Sequence, residues 1–213
     1  MAARSRRSRS RREFDPDAPP SSVGAPGGSR GEPLGRREKR EKPPAEPVEP
    51  SALAREICLR QLSRGPRTAA QLAAAMARKG IEEDVANEVL ERFTDVGLID
   101  DQAFAEAWVE SRHTGRGLAR RALAHELRTR GVDAAVVAVA VAELDPEREL
   151  ETARTLATKR LAATRGLDTQ VRFRRVAALL ARKGYSEAVA YRVIREALEA
   201  EGEDEEFLPE SAL

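Results

Sequence analysis

An all-α fold, built as three tandem three-helix repeats, is predicted by three features of this 213-residue chain. First, Ala, Leu, Arg and Glu dominate, aromatics are only 4%, and β-branched runs are scarce, which favours helices over strands. Second, no stretch alternates apolar and polar residues for long enough to form a strand. Third, the chain repeats itself. MARKGIEEDVANEV (76–89), LRTRGVDAAVVAVA (127–140) and LARKGYSEAVAYRV (180–193) share an apolar residue, basic residues, a glycine, an apolar residue, a cap-like position and a later valine. Gly80, Gly131 and Gly184 are 51 and 53 residues apart, and Leu72, Leu123 and Val176 stand at matching positions upstream. A period of that length holding three helices means a helical array. One unit alone has little core, and stacked neighbours enlarge it. The expected form is an elongated curved array.

Taken in order, residues 1–50 read as a disordered basic, Pro-rich segment. They are rich in Arg, Ser, Pro, Gly and Glu, and Phe14, Val23, Leu34 and Val48 stand isolated. Such a segment cannot bury enough surface to offset its chain entropy. Helical periodicity begins at Ser51. Gly65-Pro66 closes the first helix, and Thr68 with Gln71 forms a capping box that opens the second. Gly80 closes that helix and Gly97 the third, which runs through Val85, Val89 and Phe93. Asp100 caps the next helix, and Gly131 and Gly166 punctuate in the same way. Asp145-Pro146 is a strong start signal, a cap followed by proline at the first helical position. Glu82, Asp133 and Ser186 hold the matching N-cap positions, glutamate being the weakest capper of the three. The repeats span 51–99, 100–144 and 145–200, followed by an acidic tail at 201–213.

Charge and cysteine content exclude several classes. Net charge is only +1, but residues 1–12 hold six arginines and no acid, whereas 199–206 hold six acids and no base. No run approaches the roughly 18 apolar residues of a membrane span, and the basic head lacks the apolar stretch of a secretory signal. The single cysteine, Cys58, makes no disulfide framework, suits a reducing cytosol, and is expected to be buried and inert. His113 and His125 are the only histidines and form no zinc site with it. There is no phosphate-binding glycine loop and no nucleophile elbow. The chain is expected to be no enzyme and to need no cofactor or metal.

The junction FTDVGLIDDQAFAEAWVESR (93–112), the following GRGLARRALAHELRTRGV (115–132) and the three basic-glycine marks resemble the RecX family over about 51–200. The resemblance implies a bacterial, cytoplasmic and monomeric protein that binds RecA and the RecA filament on single-stranded DNA. It implies restraint of recombinase, ATPase and co-protease activity by docking along the filament groove, with weak direct DNA binding allowed for and no membrane partner. The alternative is a nucleic-acid-binding helical protein that acts without RecA. Against it, the second helices of repeats 1 and 3 are rich in alanine and lack the polar residues of a recognition helix.

The candidate surface lies in the middle repeat. With Leu123 and Leu127 on the core side, Arg121, His125 and Arg128 fall on the opposite face. The matching positions are Ala70, Ala74 and Ala77 in repeat 1, and Arg174, Ala178 and Ala181 in repeat 3. Arg112, Arg116 and Arg120 add charge nearby, and Arg172, Arg174, Arg175, Arg182 and Lys183 form a second concentration in repeat 3. Such clusters suit phosphates or acidic side chains. The plain alternative is a solvated face, or cations placed to suit a helix C-terminus. Trp108, spaced i, i+4 from Phe104, is expected to be a core anchor.

Overall fold

The computed structural model describes residues 49–202, so the expectations for residues 1–48 and 203–213 lie outside it. The described residues form nine α-helices and no strand: α1 Pro50–Leu62, α2 Ala69–Ala77, α3 Glu83–Asp95, α4 Asp101–Arg116, α5 Arg120–Thr129, α6 Ala134–Ala142, α7 Pro146–Ala162, α8 Thr169–Arg182 and α9 Glu187–Glu199. Most of the anticipated signals act locally. Thr68 and Gln71 make a complete capping box, while Asp100, Asp133, Asp145 and Ser186 each accept a bond from the first turn they precede. Glu82 precedes α3 without a side-chain cap bond. Its longer side chain is the poorer capper. Gly80, Gly97, Gly131 and Gly184 all have positive φ at the helix ends they close.

Each group of three helices encloses its own core, and the extensive helix–helix packing lies within these groups. Ala54, Ile57, Leu72, Met76 and Phe93 fill the first. Ala105, Leu123, Leu127 and Val137 belong to the second, and Ala153, Leu161, Val176, Leu180 and Ile194 to the third. Cys58 is buried in the first core with its Sγ 3.7 Å from the Met76 sulfur, and burial raises its thiol pKa. Among the described residues, no helix is long and apolar enough to cross a membrane.

The joints between repeats follow one pattern, used twice. The hydroxyl of Thr68, before α2, donates to the Arg130 carbonyl at 2.7 Å, and the Ala69 N–H donates to Asp101 Oδ1 at 3.0 Å. One repeat on, the N–H of Ala119, before α5, donates to the Lys183 carbonyl at 2.9 Å, and the Arg120 N–H donates to Glu149 Oε1 at 2.8 Å. The start of each second helix is therefore capped by the following repeat, by a carboxylate and by the carbonyl just before the repeat glycine. Asp101 and Glu149 are equivalent, each four residues before a fully buried alanine, Ala105 and Ala153. Small residues allow the approach. A Cβ on Gly131 would stand 2.3 Å from the Ala70 Cβ, and one on Gly184 would stand 2.5 Å from the Ala122 nitrogen. At Gly80 nothing lies within 4 Å. The glycines of repeats 2 and 3 thus serve as joint surfaces as well as helix ends.

The series stops at repeat 3. There α8 starts a turn earlier than its counterparts, so Arg172 sits inside the helix where Thr68 and Ala119 precede theirs. Asp168 caps α8 from within its own repeat, and the buried Arg172 guanidinium pairs with Glu201. Arg172 therefore does not belong to the exposed basic concentration expected around it.

Candidate partner-binding surface

Ten residues of α5 carry the middle-repeat stripe. Leu123 and Leu127 are fully buried beneath it, and Arg121, His125 and Arg128 are exposed above them, at the spacing the helix dictates. None of these three side chains has an ion-pair partner among the described residues. Arg174 and Arg182 are likewise exposed on α8, over Val176 and Leu180. Their charges are held on rigid helices and remain available for an external anion.

The other candidates have different surroundings. Arg112 lies on the buried side of α4, with 9% of its surface exposed. Its guanidinium lies over the Trp108 ring, 4.1 Å from the centroid, and its Nε is 3.8 Å from Glu126. The Arg130 guanidinium lies 3.7 Å from the same centroid, and the Trp108 Nε1–H donates to Glu126 at 2.9 Å. Trp108 also stacks on Phe104, 5.7 Å between centroids. It is half-buried, with two cations against its ring. Arg120 is turned into the joint between repeats 2 and 3, where it donates to the Leu144 carbonyl and lies 3.6 Å from Glu149. Arg112 and Arg120 thus have partners inside the molecule, Arg112 largely buried and Arg120 partly exposed.

Arg116 ends α4 with an exposed side chain, and its carbonyl accepts from the Lys183 ammonium. This places Lys183 of repeat 3 beside Arg116 of repeat 2. Burial, then the Arg116 charge, lower the lysine pKa. Lys183 is equivalent to Arg130, each just before a repeat glycine, and the carbonyls of both serve a joint. Nearby, the buried His113 has Nδ1 2.9 Å from the Leu118 carbonyl and Nε2 3.1 Å from Thr152 Oγ1. On the outer side of the same joint Arg148 grips Glu110 with two 2.7 Å bonds. Those bonds, helped by the Thr114 hydroxyl, hold the Glu110 carboxyl down at about 2.

Profiles for three RecX segments match the chain consecutively. They are described as the first three-helix domain, over residues 54–93, the second, over 100–141, and the third, over 147–194. The chain belongs to the RecX family. A protein named Regulatory protein RecX from Streptomyces coelicolor is 61% identical over 172 residues, covering 81% of this chain and 90% of that one. A protein of the same name from Thermobifida fusca is 57% identical over 171 residues, covering 79% and 92%. Among solved structures, RecX from Lactobacillus salivarius superposes with a TM-score of 0.65 at 21% identity, over 70% of this chain and 96% of that one. At that identity the likeness concerns the fold. The RecX three-helix domains coincide with the three separately packed cores described above.

Proposed function

We propose that this RecX-family chain is a non-catalytic, monomeric cytoplasmic regulator that binds RecA and its filament on single-stranded DNA and restrains recombinase, ATPase and co-protease activity. The observation that carries this reading is membership of a family whose relatives, up to 61% identical here, are named as regulatory proteins. The exposed basic residues of α5, two arginines with a histidine between them, supply a physical means. Arg121, His125 and Arg128 stand in a row on one rigid helix, with Arg174 and Arg182 on the next repeat. Both sets face outward without internal partners. A filament presents repeated anionic groups, from its DNA and from acidic side chains, and a rigid cationic face can meet them in register. Arg116 extends the cationic surface at the joint.

The test is the DNA-dependent ATPase of RecA from the same organism, measured while the full chain is added. Suppression is expected at protein levels that leave free single-stranded DNA largely unbound, and the chain itself should hydrolyse no nucleotide. Binding to DNA alone at physiological salt, as tight as to the assembled filament, would instead support a nucleic-acid-binding protein that acts without RecA.

A further inference from the structure

Repeat 1 contains a cavity of about 360 Å³ between α1 and α2. Gln61, Arg67, Gln71 and Arg78 line it, over a floor that includes Leu72 and Ala75. No carboxylate is on its wall, and neither arginine has an ion-pair partner among the described residues. The Arg67 Nε is buried and makes no hydrogen bond. Gln71 is fixed in one orientation because its Oε1 accepts from the Thr68 N–H, which leaves its amide NH₂ free to donate. One buried, unpartnered guanidinium nitrogen on Arg67, the exposed guanidinium of Arg78 and an oriented amide donor around one cavity suit an anionic acceptor.

Repeat 2 indicates which anion. Its matching helices carry Arg112 where repeat 1 has Gln61, and Glu126 where repeat 1 has Ala75. There, Glu126 projects a carboxylate into the space between the first and second helices, 3.8 Å from the Arg112 guanidinium and 2.9 Å from the Trp108 nitrogen. The same architecture thus holds a carboxylate from within in repeat 2. In repeat 1 it has an alanine floor and free arginines. Repeat 3 closes the place with Leu179.

We infer that the cavity of repeat 1 receives an aspartate or glutamate side chain of the protein partner, held by Arg67 and Arg78 near the place that the Glu126 carboxylate fills in repeat 2. A planar carboxylate suits a guanidinium fork. The half-open cleft between α1 and α2 admits one protruding side chain. The cavity opens beside Ala74, the counterpart of His125, so it adjoins the face assigned above to the filament. That the partner is RecA rests on the proposed function; the carboxylate preference does not.

The test follows the arginine Nε–Hε resonances of the full chain by NMR. The probes are N-acetyl-glutamate N-methylamide and, separately, inorganic phosphate. The blocked glutamate should shift Arg67 and Arg78 saturably, with a dissociation constant in the millimolar range expected for so small a ligand. Ala75→Glu should supply the carboxylate internally and weaken the titration at least tenfold. Arg67→Gln should abolish it without altering the fold, which covers the case where Ala75→Glu does not fold. Absence of a saturable shift would overturn the inference, as would phosphate binding as tight as glutamate, or an undiminished response in Arg67→Gln. Ala75→Glu should also weaken filament binding several-fold. If wild type binds no filament while Arg67 still titrates with glutamate, the choice of RecA fails and the carboxylate site stands.

Discussion

Arg112 and Arg121 differ little as residues in a sequence, and the structure gives them opposite surroundings, one buried and one exposed. Arg121 and Arg128 point away from Leu123 and Leu127, so Arg121→Ala with Arg128→Ala should leave helix content and melting temperature nearly unchanged. Inhibition of RecA should weaken about tenfold, on the order of 1–2 kcal/mol for two partly screened contacts. Arg174→Ala with Arg182→Ala should cost less, and an unimpaired middle-repeat mutant would reduce the stripe to a solvated face. Arg112→Met behaves differently. It removes a guanidinium from Trp108 and leaves Glu126 without its 3.8 Å partner. The Glu126 side chain keeps 30% exposure, so water offsets part of the loss. Urea unfolding should show a destabilisation of about 1–2 kcal/mol, below the full penalty of a buried charge. The Arg121 stripe was legible because period and repeat comparison together define a helix face. The burial of Arg112 also has a signal in the sequence: it lies three residues after Val109 and seven after Ala105, on their buried stripe.

At the scale of elements, caps and glycine turns were legible because they are local chemistry, whereas the joints are tertiary and had no signature within one repeat. Thr68 and Gln71 announce a helix start by themselves. Nothing in the sequence announces that Asp101 caps α2 from the next repeat. The glycines separate the two effects. Gly80→Ala meets only the strain of a positive φ, about 1 kcal/mol. Gly131→Ala adds a Cβ 2.3 Å from Ala70, and Gly184→Ala meets backbone at 2.5 Å. Denaturation should rank the losses in that order, with Gly184→Ala the most severe. Ala70→Gly should rescue part of Gly131→Ala and none of Gly80→Ala. The carboxylate at the first joint gives a pH test. Burial, opposed by the Ala69 bond, raises the Asp101 pKa above 3.8. The folded state therefore binds this proton more tightly than the unfolded state, and this group's contribution to stability falls as pH rises from 3.8 through the raised value. Asp101→Asn keeps an oxygen acceptor for Ala69 and should remove that slope in melting temperatures. Asp101→Ala should lose the cap, about 1 kcal/mol.

The described residues pack as three small cores joined by capped helix starts, with Ala119 of repeat 2 reaching into the third, rather than around one shared apolar interior. Its stability should approximate a sum of unit terms and joint terms, as in other linear arrays. Such an array suits a protein that must lie along a repeating partner, because each repeat can present its own face: small and pocketed in repeat 1, cationic in repeat 2, mixed and terminated in repeat 3. The repeat number was readable from spacing. The termination was not, since it depends on Arg172 being drawn inward by Glu201. Trp108, the only tryptophan, reports on repeat 2 alone, whereas circular dichroism reports on every helix. Leu180→Ala removes a fully buried side chain from the third core and should cost about 2–5 kcal/mol there. Leu123→Ala does the same in the second. With weakly coupled cores, Leu180→Ala should split the circular-dichroism transition in urea and move the Trp108 fluorescence midpoint by less than half as much as Leu123→Ala does. Equal movement of both probes in both mutants would mean that the joints, at Lys183 and Glu149 above all, couple repeats 2 and 3 into one cooperative unit. Repeats 1 and 2 share two polar bonds and a glycine contact, while repeats 2 and 3 add the Lys183–Arg116, His113–Thr152, Tyr185–Gly117 and Arg148–Glu110 bonds to theirs. Each such bond contributes little net stability against the entropy of ordering a whole repeat, so the split transition is the expected result.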